Sequence, residues 1–230
     1  MSAFFIAGTG TGVGKTLVTT ILCHQLRSMG RNVQALKPVV SGFSVDDPQS
    51  DPVLILRSLG RAVTPEALDQ ISPWRFAAPI SPHLAARREG QKVAMEDVLR
   101  FCRKESPGSE TSRLIEGAGG LYSPICDDAT CARLIAAMGD PVILITGTYL
   151  GSISHTLTAM ESLKSMRIPV RAIVVSESAE SAGLHETIES LCEFGAAGYP
   201  ILPLPRLLGA IEDRWQEAPP LAHLCEIDHA

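Results

Sequence analysis

The sequence contains no apolar stretch approaching the ~20 residues a membrane-spanning helix needs. Its first residues show no basic segment followed by an apolar core, so neither a membrane protein nor a secreted one is expected. Positive charge is scarce: 20 Lys and Arg stand against 25 Asp and Glu, a net charge of −5, which argues against a general nucleic-acid surface. The six cysteines (Cys23, Cys102, Cys126, Cys131, Cys192 and Cys225) include no CxxC pair, so a disulfide framework or a zinc ribbon is not expected. Reduced, partly buried thiols in a cytoplasmic protein are the reading that remains. Aromatic residues make up only 5% of the chain and no internal repeat is present. What the chain does have is 45% hydrophobic residues in many short runs, as sheets covered on both faces require. At 230 residues it is expected to form one α/β domain over 1–230 with a substantial core.

One stretch organises the rest, Gly8-Thr9-Gly10-Thr11-Gly12-Val13-Gly14-Lys15-Thr16. The apolar run Ala3–Ala7 leads into it, and a helical pattern follows from Lys15 to about Met29. Strand, glycine loop and helix in that order are the context of a phosphate-binding loop. Glycines let successive backbone N–H groups turn inward, and the helix N-terminus adds positive partial charge for a polyphosphate. Lys15 would reach the β/γ oxygens and the Thr16 hydroxyl a Mg²⁺ ion. The usual spacing puts its first glycine where Thr9 stands, so the leading glycine, Gly8, is one place early. The plain alternative is a glycine-rich turn followed by a chance Lys-Thr.

Further strand ends carry further candidates. The apolar segment Val33–Leu36 ends in Lys37-Pro38 and a small-residue loop through Ser41-Gly42. Lys37 is expected at the same polar edge as the phosphate loop, where functional groups of open α/β sheets collect; the alternative is a solvated charge. Asp51 precedes Pro52 at the start of a short helix, so a helix N-cap is its plain reading. Residues 64–90, with the three prolines of the 71–83 stretch, read as a long loop of fixed shape until a helix begins near Leu84; another helix spans Ala94–Lys104, with a polar break over Glu105–Ser112. Arg113-Leu114-Ile115-Glu116 is a short buried strand ending in a carboxylate before Gly117-Ala118-Gly119-Gly120, and Glu116 fits a Mg²⁺-holding role beside the phosphate loop. Its alternative is a strand-end carboxylate facing water. A helix over Thr130–Met138 precedes the near-continuous run Pro141–Thr146, which reads as a central parallel strand. Leu150-Gly151-Ser152-Ile153-Ser154-His155 opens a helix whose free amides could bind an anion, with His155 read as a capping residue. A strand at Val170–Val175, a helix at Gly183–Phe194, a strand at Ile201–Leu204 and a helical piece at Leu208–Trp215 follow, and the tail from Pro219-Pro220 reads as loosely structured.

Strands alternating with helices make a doubly wound, mainly parallel sheet of the P-loop nucleotide-hydrolase kind. The motifs quoted, together with Lys37-Pro38-Val39, Asp51 and Phe76–His83, resemble those of the dethiobiotin synthetase family from the first strand to about residue 208. The early glycine is that family's own form. The resemblance implies an ATP-dependent reaction with Mg²⁺ in which CO₂ joins 7,8-diaminopelargonate and a cyclic urea closes, in biotin synthesis. It implies Lys15 and Lys37 as catalytic residues and Thr16, Asp51 and Glu116 as metal ligands. Nucleotide would be bound by Gly12, Val13, Gly14, Lys15, Thr16, Glu116, Gly117, Ser176, Pro205, Arg206 and Leu207. Substrate would be bound by Thr11, Ser41 and Pro79, and by Gly151, Ser152 and Ser154 of a second subunit, hence a homodimer with shared sites and no nucleic-acid or membrane partner. Three positions depart from common family forms: Gly12 stands where some members have Glu, Ser176-Glu177 where adenine readers often have Asn-Asp, and the Pro205 loop lacks the aromatic neighbour. A partition-type switch ATPase is the rival reading; it would carry a second lysine where Gly10 stands and often a basic end, whereas this chain ends in the acidic Leu224–Ala230.

Overall fold

The computed structural model describes residues 2–104 and 111–226. In chain order the strands are β1 (Ser2–Gly8), β2 (Asn32–Leu36), β3 (Val39–Ser41), β4 (Trp74–Phe76), β5 (Thr111–Glu116), β6 (Val142–Thr146), β7 (Val170–Ser176) and β8 (Ile201–Leu204). The helices are α1 (Lys15–Ser28), α2 (Asp51–Ser58), α3 (Pro65–Ile71), α4 (Pro82–Arg88), α5 (Met95–Cys102), α6 (Cys131–Met138), α7 (Ser152–Ser165), α8 (Leu184–Leu191) and α9 (Ile211–Glu217). Six strands form one parallel sheet in the order β2-β5-β1-β6-β7-β8, flanked by helices. Every residue of β5 and β6 is buried; in β6 this is why the strand reads as a continuous apolar run, while β5 also buries Arg113 and Glu116.

Chain direction across the sheet reverses at β1. From β1 the chain moves to the far edge at β2 and returns through β5; β6, β7 and β8 then build outward on the other side. Such a reversal opens a crevice at the carboxyl ends of the central strands, where ligands of open α/β sheets bind. The glycine loop lies at that end of β1. Gly14, with φ 98°, makes the left-handed turn into α1 that a side chain would oppose. Val18, Ile21, Leu22 and Leu26 then bury one face of the helix.

Three stretches differ from their sequence reading. Val39–Ser41 is a strand, not part of a loop, and it pairs in parallel with β4 inside the supposed loop of residues 64–90, which also holds α3 and the start of α4 at Pro82. Three-residue strands are too short to show an alternating pattern, and their pairing links segments some 35 residues apart. The tail after Pro219-Pro220 is ordered: a short 3₁₀ turn at Ala222–Cys225 buries Leu221, Leu224 and Cys225. Gln25 of α1 holds it, donating to Pro219 O (2.9 Å) and accepting from Leu221 N (2.7 Å) and Ala222 N (3.0 Å). The polar break is shorter than read, since Thr111 and Ser112 belong to β5; its residues 105–110, and 227–230 of the acidic end, lie outside the described residues.

Candidate active site

Five segments converge on one cavity of about 680 Å³, the turn after β5 among them through Ala118, Gly119 and Ser123. The glycine loop supplies Thr11, Gly12, Gly14, Lys15 and Thr16 to its lining, and the end of β2 supplies Lys37. The β3–β4 pair continues as Gly42 N donating to Ala78 O (3.1 Å), which sets Ser41 beside Pro79. Asp51, the first residue of α2, completes the fourth side. Beneath them Glu116 ends β5, and the turn after it is fastened by Gly117 N donating to Ile6 O (3.0 Å) and Gly120 N to Ser123 Oγ (2.8 Å).

The charges form a compact cluster. Lys37 Nζ is 2.7 Å from Glu116 Oε1 and 3.0 Å from Asp51 Oδ2, and donates to Gly117 O at 3.1 Å. Thr16 Oγ1 donates to the same Glu116 oxygen at 2.7 Å. Burial alone would lower the Lys37 pKa, but Asp51 and Glu116 outweigh it and raise it above the ordinary lysine value, so this ammonium is a fixed positive charge. Burial works against Asp51 too, yet Lys37 holds its carboxyl below the usual carboxylate range. Lys15 donates to Gly10 O and Gly119 O, both at 2.7 Å. Burial, helped by the nearby Lys37 charge, pulls its pKa down to about 8.

Several plain alternatives end here. Lys37 is not a solvated edge charge, being 3% exposed, and Glu116 does not face water, being fully buried. Ser50, not Asp51, occupies the N-cap position of α2, leaving the Asp51 carboxylate to Lys37. His155 makes no cap hydrogen bond; its Nδ1 is 2.8 Å from Tyr149 Oη.

The Glu116 Oε2 atom is buried with no hydrogen-bond partner. An orphaned carboxylate oxygen beside a second carboxylate and a hydroxyl is a hard, all-oxygen donor set, which fits Mg²⁺. Among the described residues no group of three or more His, Cys, Asp and Glu gathers to hold a metal, here or elsewhere, so this site offers two carboxylates and the Thr16 hydroxyl.

The remaining expected residues lie outside this lining. Val13 is buried under the loop and Gly117 accepts from Lys37. Ser176, at the end of β7, is nearly buried, with its Oγ 2.8 Å from where a Cβ on Gly14 would stand. Pro205 and Arg206 are exposed and Leu207 half-buried; Arg206 N donates to Glu177 Oε2 at 2.9 Å, which ties this loop to β7. Gly151 and Ser154 are exposed at the start of α7, whereas Ser152 is buried and its amide donates to Tyr149 O. Val40, Ser81 and Ser123 line the cavity without having been singled out as site residues. Ser81 has a signal in the Phe76–His83 motif; Val40 and Ser123 are revealed only by the pairing of β3 with β4 and the turn after Gly120.

A parallel sheet with a glycine loop and its lysine at the carboxyl end of a central strand defines a P-loop ATPase. Solved structures of that fold include the MinC:MinD cell division protein complex of Aquifex aeolicus, at TM-score 0.58 and 12% identity over 94% of this chain and 86% of that one. A ParA family ATPase of Chlorobium tepidum matches at TM-score 0.56 and 13% identity over 94% and 89%. At such identities the likeness is one of fold alone. A protein family described as AAA domain matches residues 2–217. Among curated proteins, the ATP-dependent dethiobiotin synthetase BioD of Methylobacterium nodulans is 44% identical over 216 residues, 87% of this chain and 96% of that protein. The proteins of the same name in Caulobacter vibrioides and Bacillus subtilis subsp. natto are 46% and 33% identical over 84% and 93% of this chain. The chain belongs to the ATP-dependent dethiobiotin synthetase family. Among the described residues no helix is long and apolar enough to cross a membrane.

Proposed function

We propose that this chain converts ATP, CO₂ and 7,8-diaminopelargonate into dethiobiotin, ADP and phosphate, as a cytoplasmic homodimer with small-molecule substrates and no nucleic-acid or membrane partner. One observation carries the site assignment: Lys15, Lys37, Thr16 and Asp51 line one cavity with Glu116 beneath it. A substrate amine takes up CO₂ as a carbamate with loss of a proton. A carbamate oxygen displaces ADP from the γ-phosphoryl group, and the second amine then closes the ring and expels phosphate. The middle step brings two anions together, so fixed positive charge between them is its main requirement. Lys37, kept protonated by its two carboxylates, supplies that charge from one side and Lys15 from the glycine loop. Thr16, Asp51 and Glu116 would hold Mg²⁺, which supplies charge neutralisation at the phosphate oxygens. Ser41 hydrogen-bonds the carbamate, and Val40 with Pro79 gives the diamine's alkyl chain an apolar wall. Gly12, Val13, Gly14 and Gly117 cradle the triphosphate through backbone groups, while Ser176 and the Pro205–Leu207 loop border the base.

The substrate carboxylate goes to the start of α7 in a second subunit. Supporting this, that helix start lies outside its own chain's cavity, Leu150 beside it is 98% exposed, and the Ile153 and Ser154 amides precede the first bond of the helix, His155 N to Gly151 O.

The test is incubation with diamine, bicarbonate, Mg²⁺ and ATP, followed by mass detection of dethiobiotin. Phosphate release should require both diamine and bicarbonate; release independent of them would point to the switch-ATPase reading. Sedimentation at micromolar concentration should show a dimer, and a fully active monomer would refute shared sites.

A further inference from the structure

Thr9 is the residue that breaks the usual glycine spacing of the phosphate loop, and its hydroxyl has a defined place. Thr9 Oγ1 lies 3.1 Å from Thr146 Oγ1 at the end of β6. Thr146 Oγ1 lies 2.7 Å from Thr156 Oγ1 in α7. Thr156 Oγ1 donates at 2.7 Å to the carbonyl of Ser152, the first residue of α7. Thr146 and Thr156 are completely buried.

Each hydroxyl carries one proton, and the carbonyl at the end can only accept. Thr156 therefore gives its proton to Ser152 O, Thr146 must give its own to Thr156, and Thr9 must give its own to Thr146. The direction of the whole chain is fixed, from the phosphate loop to the start of α7. Aligned hydroxyls of this kind polarise and strengthen one another, and the two buried ones, Thr146 and Thr156, cannot turn away without leaving a polar group unsatisfied. A second α7 contact lies beside the same loop. Tyr149 Oη is hydrogen-bonded to His155 Nδ1 and lies 3.6 Å from where a Cβ on Gly10 would stand.

We infer that Thr9 is a positioning residue whose hydroxyl, through Thr146 and Thr156, fixes the first turn of α7 to the phosphate loop, so that a triphosphate held by the loop is felt at that helix start. Together with the carboxylate site proposed above, on which this extension rests, the link would join the nucleotide site of one subunit to the substrate-carboxylate site serving its partner. The link itself requires only that the loop bind nucleotide.

The experiment compares amide hydrogen exchange of wild type, Thr9→Ala, Thr9→Ser and Thr146→Val, each with and without a non-hydrolysable ATP analogue and Mg²⁺. In wild type the analogue should slow exchange in both the phosphate loop and residues 152–157, the latter by about fivefold or more, the lower range of allosteric coupling. Thr9→Ala and Thr146→Val should keep the loop response and lose the α7 response, and Thr9→Ser, which restores the hydroxyl, should recover it. An α7 response that survives in Thr9→Ala, or that wild type does not show, overturns the link. Dethiobiotin formation by wild type is followed in parallel; its absence would sink the synthetase reading, while the exchange result would still decide the link.

Discussion

Replacing Lys37 removes the main countercharge of a fully buried carboxylate. Glu116 would keep the Thr16 hydroxyl on Oε1 and nothing on Oε2. Lys37→Gln should therefore lower turnover at least about a hundredfold, the scale of one lost transition-state charge contact. It should also lower stability by roughly 3 kcal/mol, because an unpaired charge is left inside. A lysine carried as a solvated edge charge, the alternative reading of the sequence, would have left stability untouched. Adding Glu116→Gln to Lys37→Gln should recover most of the stability in denaturant titrations without Mg²⁺ or nucleotide, and none of the turnover. A double variant as unstable as the single one would show that the stranded charge is not the cause. At the proposed base site, Ser176 has a short side chain held against Gly14, and the loop beside it is tied down through Glu177. Neither offers the paired donor and acceptor of an amide. ATP, CTP and GTP should accordingly give specificity constants within about tenfold, a spread of ~1.4 kcal/mol, and Ser176→Asn should favour ATP. An ATP preference above roughly a thousandfold, some 4 kcal/mol, would assign the base to the backbone of the Pro205 loop.

Elements were legible in the sequence in proportion to how local their cause is. The strand–loop–helix unit of β1 and α1 is written in consecutive residues, as is β6. The β3–β4 pair is not, since neither strand has the length to declare itself and each exists because of the other. The same holds for the tail, where two prolines hid a segment fixed by a side chain nearly 200 positions earlier. That dependence on one residue makes a test: Gln25→Ala removes three hydrogen bonds to the segment at Pro219–Ala222. At roughly 0.5 kcal/mol net for each of the three, stability should fall by about 1–2 kcal/mol, and limited proteolysis should cut first near Pro219. Unchanged cleavage would mean that burial of Leu221 and Leu224 alone secures the tail. The site divides along the same line. Lys15, Thr16, Lys37 and Glu116 stand in readable motifs, as does Ser81 within Phe76–His83, whereas Val40 and Ser123 reach the cavity only through pairing and turns.

Across the whole molecule, the sheet and its central strands followed from composition and run length. The thiols give the fold a pH limit. Burial pushes Cys23, Cys102 and Cys225 up to about 12, against 9.0 for a free thiol. The folded chain therefore holds these protons where the unfolded chain releases them, so stability is full below about pH 9 and falls as pH rises toward 12. Each thiol contributes a slope of roughly 1.4 kcal/mol per pH unit in that window. Unfolding midpoints in urea should drop steeply between pH 9 and 10.5, and less so in Cys23→Ala measured against its own value at pH 8; equal slopes would discount the thiols. The ammonium of Lys15 has a consequence of another kind. It spans two glycine loops, accepted by Gly10 O and Gly119 O. One side chain thus laces the turn after β1 to the turn after β5, so that each holds the shape of the other. A polyphosphate seated there, as proposed above, would meet a cradle whose ordering the protein itself supplies.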